Sequence, residues 1–102
     1  MNINFEYHNV TASDRLEIFT SQKLDKLFKR YDFVVSADVY FKSQNTSSAE
    51  RGKICKVRLG TPGVSLFTEA DNSNFEVSVN EATRELEIQL KKRKDKFSRK
   101  QS

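Results

Sequence analysis

The order in which hydrophobic periodicity changes along the chain constrains its fold more than any other feature. Two longer segments, 14–31 and 74–96, repeat apolar side chains at helical spacing. Four segments instead alternate between apolar and polar side chains, as strands with one buried face do: 2–7, 34–42, 53–59 and 64–70. The predicted order is β-α-β-β-β-α, in which a crossover helix joins the first strand to an antiparallel meander. Because both helices need the same apolar sheet face, we predict an α+β two-layer sandwich: a four-stranded sheet with two helices packed on one face.

The same alternation predicts buried positions and turns. In the second strand Val35, Ala37, Val39 and Phe41 face one way, and we expect them in the core. Residues 43–52 are polar and small, which predicts a long, mobile hairpin loop. The Gly-Thr-Pro-Gly segment at 60–63 predicts a compact turn, so strands three and four are expected to form a hairpin.

Length and cysteine content limit the class of protein. With 102 residues, we expect one domain over residues 1–97 and a frayed basic and polar tail over residues 98–102. Cys55 is the only cysteine, so an internal disulfide and a cysteine-based metal cluster are excluded, and a reducing, cytoplasmic setting fits best. We identify neither a signal peptide nor an apolar run long enough to span a membrane. A membrane-surface helix is disfavoured because the second helix needs its apolar stripe for the core, so we expect no membrane partner.

Few residues have side chains suited to catalysis or metal binding. His8 is the only histidine and follows the first strand, where a polar edge or loop role is expected rather than catalysis. Cys55 alternates with other buried positions and needs no reactivity to explain it. The glutamates of the second helix fit ion pairs better than a metal site: Glu76, Glu81, Glu85 and Glu87. We predict no enzymatic activity, no metal, no cofactor and no small-molecule substrate; a small α+β enzyme is the least favoured alternative.

Basic residues are concentrated at one end of the chain. The formal net charge is +4, but residues 91–100 hold seven basic side chains and one acid, so they carry +6 and the rest of the chain carries −2. The first helix also becomes basic toward its C-terminus, where Lys23, Lys26 and Arg30 follow helical spacing. Two helices packed side by side would merge both groups into one groove that suits an RNA phosphate backbone. The candidate RNA-binding residues are Lys23, Lys26, Lys29, Arg30, Lys91, Lys92, Arg93, Lys94, Lys96, Arg99 and Lys100.

Two other interpretations of this charge stay open. Lys and Arg at a helix C-terminus also complement the helix dipole, and a solvated helix end needs no RNA. A general structured-RNA-binding domain would use the same groove through shape rather than sequence. The sheet offers less, because Tyr40, the exposed aromatic of the second strand, lacks the partner signature of an RNA-recognition motif.

Topology and two segments resemble a known family. Residues 23–27, Lys-Leu-Asp-Lys-Leu, and residues 86–96, Leu-Glu-Ile-Gln-Leu-Lys-Lys-Arg-Lys-Asp-Lys, resemble the bacterial ribosome hibernation-promoting factors, also called the ribosome-associated inhibitor or sigma-54 modulation family. The similarity covers nearly the whole chain, and the predicted arrangement is double-stranded-RNA-binding-like. Charge therefore predicts an RNA partner, and the resemblance adds the ribosome.

The resemblance implies a partner and a mode of action. Family members bind the small ribosomal subunit between head and body, where messenger RNA and the transfer RNAs of the A and P sites lie. By this similarity the chain contacts 16S rRNA and neighbouring ribosomal proteins, inhibits translation under stress or in stationary phase, and is monomeric off the ribosome. The implied contacts are Lys23, Lys26 and Arg30 on the first helix and Lys91, Lys92, Arg93, Lys94 and Lys96 on the second.

The chain departs from the family pattern at two positions. Asn80 stands where the family often has Asp, and Ile88 stands where Arg often precedes Gln-Leu, so one RNA contact is missing or moved. Long members carry a second domain that joins two ribosomes, and a chain ending at Ser102 is expected to be a short form. Whether it promotes ribosome dimers or holds single ribosomes inactive stays open; the basic tail favours the dimer-permissive type.

Overall fold

The computed structural model has the predicted order of strands and helices. It describes the backbone over residues 2–101 and the side chains over residues 2–96. The elements are β1 (Ile3–His8), α1 (Asp14–Arg30), β2 (Ser36–Ser43), β3 (Lys53–Thr61), β4 (Val64–Asn72) and α2 (Phe75–Gln101). The sheet order is β1-β2-β3-β4, with β1 parallel to β2 and the other pairs antiparallel. Both helices contribute to one core on one face of the sheet, which confirms the α+β sandwich.

Both helices begin at side chains that accept hydrogen bonds from free backbone amides. Ser13 Oγ accepts from the Leu16 amide at 3.2 Å and caps α1. Asn74 Oδ1 accepts from the Val77 amide at 2.9 Å and caps α2 in the same way. Local sequence therefore fixes where each helix starts.

The two helices run in the same direction across the sheet. Near their first turns Arg15 pairs with Glu76 at 3.0 Å, and at the end of α1 Arg30 pairs with Glu87 at 2.6 Å. This follows from the topology, because β1 and β4, the strands that precede the two helices, run in the same direction. Each helix carries basic residues toward its C-terminal half, so the shared direction brings both basic segments toward the same end of the domain.

The core between the sheet and the helices fixes how each helix is rotated. Leu24 of α1, Phe41 and Leu59 of the sheet, and Leu86 and Leu90 of α2 are fully buried. Burying one such side chain contributes roughly 1.5–3 kcal/mol to folding. The apolar stripes are therefore held firmly against the sheet, and the basic residues beside them stay at the surface.

One predicted core position is wrong. Val35 is 67% exposed, whereas Val34 is 3% exposed and belongs to the core. β2 begins at Ser36, and Val35 lies just before it, where its amide donates to the Gly60 carbonyl oxygen at 2.8 Å. Outside the strand the two-residue alternation no longer decides which side chain is buried. Within the strand the other predicted positions are buried: Ala37, Val39 and Phe41.

Two loops flank β3: the one after it is a short turn, and the one before it is closed by a hydrogen bond. β3 and β4 are joined by a two-residue turn, Pro62 and Gly63, and Gly63 has a φ of +83°, which glycine adopts without strain. The loop after β2 ends at Gly52, whose amide donates to Asp71 Oδ1 at 2.6 Å. The mobility of this loop stays a prediction.

α2 ends later than the sequence predicts. The helix continues to Gln101 rather than ending near residue 96. The predicted fraying of residues 98–102 stays a prediction, since their side chains lie outside the described residues. Over the part of the chain that the structure describes, no helix is long and apolar enough to cross a membrane.

Candidate nucleic-acid interface

A groove runs along the surface between α1 and α2, and we call it the inter-helix groove. It consists of two depressions, of about 440 Å³ and about 330 Å³, that share Glu87 on their walls. Among the described side chains, two carboxylates line the groove, Glu87 and Asp95, against six basic residues. These six are Lys23, Lys26 and Arg30 from α1 and Arg84, Lys91 and Lys94 from α2. The groove therefore has the excess of positive charge that phosphate binding needs.

Helical spacing brings these cations to the groove. On α1, Lys23, Lys26 and Arg30 lie on one side of the helix, and the neighbouring Leu24 and Leu27 are buried in the core. α2 uses the same spacing beside its own buried stripe. The structure thus brings together five of the residues predicted to bind RNA: Lys23, Lys26, Arg30, Lys91 and Lys94.

Arg93 lies against the β3–β4 turn instead. Its guanidinium Nη2 donates to the Pro62 carbonyl oxygen at 3.1 Å. Arg93 and Lys94 are adjacent, but one residue of helix turns the side chain by about 100°, which carries it across the buried stripe to the β4 side. Arg93 therefore does not line the groove, and any RNA contact that it makes lies at the turn.

Three of the other predicted cations lie outside the groove. Lys29 lines a depression on α1 that is formed by α1 residues alone. Lys92 and Lys96 are exposed on α2, and they line neither half of the groove. The side chains of Arg99 and Lys100 lie outside the described residues. Lys29, Lys92 and Lys96 therefore lie outside the groove.

The ring of Tyr31 lies close to two cations in the second half of the groove. Its side chain is 4% exposed. The Arg30 guanidinium carbon lies 5.8 Å from the ring centroid, and Lys94 Nζ lies 5.7 Å from it. Cations from both helices therefore meet at one aromatic ring. A phosphate placed there can accept charge-assisted hydrogen bonds from both of them.

Arg84 and Glu87 are groove residues that the sequence alone does not identify. Four glutamates between residues 76 and 87 make this part of α2 look acidic and solvated. The available signal is spacing: Arg84 stands seven residues before Lys91, so both lie on the same side of the helix, and Glu87 stands between them. A search for cations at steps of three, four and seven would have found Arg84.

The opposite face of the sheet is a weaker nucleic-acid surface. It carries Tyr40 on β2 and Phe67 on β4, and Phe67 is 55% exposed, so Tyr40 does have an aromatic neighbour on its face. Two cations of this face pair with carboxylates: Arg58 with Asp38 at 3.0 Å and Lys56 with Glu69 at 3.6 Å. Less positive charge is therefore free here for phosphate than in the groove.

The surroundings of the side chains that could take part in catalysis or metal binding favour structural roles. His8 is exposed at the end of β1. Cys55 is fully buried, and burial raises the pKa of its thiol to about 12, which keeps it protonated and unreactive. Glu76 and Glu87 form ion pairs, as predicted. Among the described side chains, no three His, Cys, Asp or Glu residues come together as metal ligands.

Comparisons with known proteins support the fold. A solved structure of a ribosomal subunit interface protein from Coxiella burnetii has a TM-score of 0.79 and 23% identity, covering 93% of this chain and 99% of that chain. The N-terminal domain of Protein Y from Thermus thermophilus has a TM-score of 0.76 and 21% identity, covering 90% of this chain and 98% of that chain. No curated protein matches the chain in sequence.

The family comparison covers most of the molecule. The model of the family described as sigma 54 modulation protein / S30EA ribosomal protein matches residues 3–98, from the start of β1 into the last turns of α2. This match agrees with the resemblance carried by residues 23–27 and 86–96. The chain belongs to the sigma 54 modulation protein / S30EA ribosomal protein family.

Proposed function

We propose that this protein is a ribosome hibernation factor that acts in the cytoplasm. It binds the small ribosomal subunit at the messenger RNA channel and the A and P sites, contacts 16S rRNA and neighbouring ribosomal proteins, and inhibits translation under stress or in stationary phase. One observation carries this function: a chain of the S30EA family places six cations from two parallel helices along one groove. The name of the Coxiella burnetii neighbour, a ribosomal subunit interface protein, supports the same partner.

The phosphate backbone of rRNA lies along the inter-helix groove in this proposal. Each Lys or Arg that neutralises a phosphate releases a counterion, so binding weakens as salt rises. Buried leucines fix both helices to the sheet, so the groove is preorganised and little conformational freedom is lost on binding. Contacts to phosphate carry no base information, and selectivity comes from the shape of the folded RNA.

Cations outside the groove extend the contact. α1 ends at Arg30, opposite Glu87, and α2 continues to Gln101, so the basic end of α2 reaches past the end of α1. The remaining proposed contacts are Lys29, Lys92, Arg93, Lys96, Arg99 and Lys100. Inhibition follows from occupying the channel, which excludes messenger RNA and transfer RNA without a chemical step. No catalytic residue, metal or cofactor has a role, and the protein is monomeric off the ribosome.

Sedimentation with purified components tests this function. The protein is mixed with small subunits or with complete ribosomes and centrifuged through a sucrose gradient at low salt. We expect it to co-sediment with both and to be released as salt rises, and we expect translation of a reporter message in an extract to fall as protein is added. Protein that stays at the top of a low-salt gradient while the ribosomes pellet would contradict the proposed function.

General binding of structured RNA is a second candidate function. One feature favours it: apart from Asn80, the first half of the groove offers mainly cations for phosphates, and the Thr83 hydroxyl in it already donates within α2, to Val79 O at 2.9 Å. Affinity for a short RNA duplex, compared with affinity for small subunits, separates the two candidates. Equal affinities favour general binding, and much tighter binding to subunits favours the ribosomal function.

A further inference from the structure

We infer that the inter-helix groove contains two separate phosphate-binding sites and that Glu87, between them, competes with RNA phosphate for Arg30. This inference rests on the proposed function, because it concerns how the same groove holds RNA. The first cation cluster consists of Lys23, Lys26 and Arg84, and the second consists of Arg30, Lys91 and Lys94. Glu87 lines the depression at each cluster.

The two clusters are far enough apart to bind different phosphates. Lys23 precedes Arg30 by seven residues on α1, and Arg84 precedes Lys91 by seven residues on α2. At 1.5 Å per residue, each pair is offset by about 10 Å along its helix. Because the helices are parallel, both offsets run in the same direction along the groove. Each cluster therefore contains cations from both helices. Two phosphates of one RNA can therefore be bound without sharing a cation.

The Glu87 carboxylate binds Arg30 of the second cluster at the place where we expect a phosphate to bind. Its Oε1 lies 2.6 Å from Arg30 Nη1, which is the geometry that a phosphate oxygen would adopt toward the same guanidinium. The Arg30 and Glu87 side chains are 64% and 41% exposed, so the ion pair is open to solvent and to exchange with RNA. A phosphate that binds Nη1 must replace Glu87 there, and a phosphate that binds the other guanidinium nitrogens is repelled by the Glu87 carboxylate beside it.

Arg30 keeps its contact with the Tyr31 ring when Glu87 is replaced by a neutral residue. Its guanidinium carbon lies 5.8 Å from the centroid of the buried Tyr31 ring, near which Lys94 also lies. Glu87 is at the surface and contributes nothing to the apolar core. A Glu87→Gln substitution therefore frees Arg30 for phosphate without removing the ring that positions it and without disturbing the fold.

A matched pair of variants tests this competition. Glu87→Gln and Glu85→Gln raise the net charge equally, but Glu85 is exposed and lines neither depression. We expect Glu87→Gln to tighten binding to small subunits by about three- to fivefold, as the loss of an exposed ion pair allows, and to steepen the salt slope by about 0.9. We expect Glu85→Gln to change affinity by less than about twofold. Equal effects of the two variants would overturn the inference.

Arg30→Gln decides whether the competition is for Arg30. In that background we expect Glu87→Gln to lose its advantage over Glu85→Gln, because the guanidinium with which Glu87 pairs has been removed. Tightening that persists undiminished without Arg30 would overturn the assignment. The same comparisons on a short RNA duplex separate this inference from the proposed function. Duplex binding with the expected ratios, without subunit binding, contradicts the ribosomal partner alone; absence of binding to either probe contradicts both.

Discussion

Replacing both Lys91 and Lys94 with Gln removes two cations from the second half of the inter-helix groove. Both side chains are exposed and neither belongs to the core, so we expect the free energy of unfolding to change by less than about 0.5 kcal/mol for each. RNA binding, in contrast, loses two phosphate contacts in this proposal. The double variant therefore separates binding from folding.

The size of the effect follows from counterion release. Each neutralised phosphate contributes about 0.9 to the slope of log affinity against log salt, so the double variant should lose about 1.8 from that slope. Over a roughly fourfold rise in salt, wild-type binding then falls about twelvefold more than binding of the variant. At low salt, about 1 kcal/mol for each exposed charge contact corresponds to binding that is weaker by about 30-fold.

A control double variant, Lys42→Gln with Arg51→Gln, removes the same charge from β2 and the loop after it, at positions that line neither half of the groove and are not proposed RNA contacts. Affinity for small subunits is measured over a salt series for the wild-type protein and both variants, with thermal unfolding to check the fold. We expect the groove variant to lose clearly more affinity and slope than the control. Equal losses, or unchanged binding of a folded groove variant, would refute the placement of the phosphate contacts in the groove.

Three further predictions concern the scaffold. Leu86→Ala should lower the free energy of unfolding in urea by about 2–5 kcal/mol, because this side chain is fully buried; a loss below about 1 kcal/mol would contradict its place in the core. Gly63→Ala should lower the same free energy by roughly 1 kcal/mol, because φ at this position is +83°. The new Cβ would lie 3.6 Å from Arg93 Nη2, so strain of the backbone and not a clash causes the loss. An unchanged urea midpoint would contradict this backbone conformation. Burial raises the pKa of the Cys55 thiol from its ordinary value of 9.0 to about 12, so its contribution to stability is complete below pH 9 and is lost as pH rises toward 12. Iodoacetamide should modify the native thiol far more slowly than the unfolded one, and equal rates would show that Cys55 is accessible.

Much of the fold is predictable because local patterns and topology agree. Alternation over Ala37, Val39 and Phe41 identifies the inner face of β2, and helical spacing over residues 14–31 identifies α1. Val35 shows the limit of this reasoning, because periodicity does not reveal where the strand begins. A residue just outside the ladder is buried or exposed according to the connection in which it lies.

The candidate site was only partly predictable. Lys23, Lys26 and Arg30 share a helix side that spacing reveals, and the C-terminal basic run is evident in the sequence. Which side of α2 faces α1 depends on the order of the strands beneath the helices, so Lys94 enters the groove while its neighbour Arg93 reaches the β3–β4 turn. The role of Glu87 depends on a partner 57 positions away in sequence, which no local pattern reports.

The most direct test of the central claim is whether the protein and the ligands of translation exclude each other on the small subunit. Purified small subunits are first loaded with messenger RNA and with transfer RNA in the A and P sites, and binding of the protein is compared with binding to empty subunits. We expect the protein to bind empty subunits and to be excluded from loaded ones. Equal binding to empty and loaded subunits would contradict the claim that the protein occupies the messenger RNA channel and the transfer RNA sites.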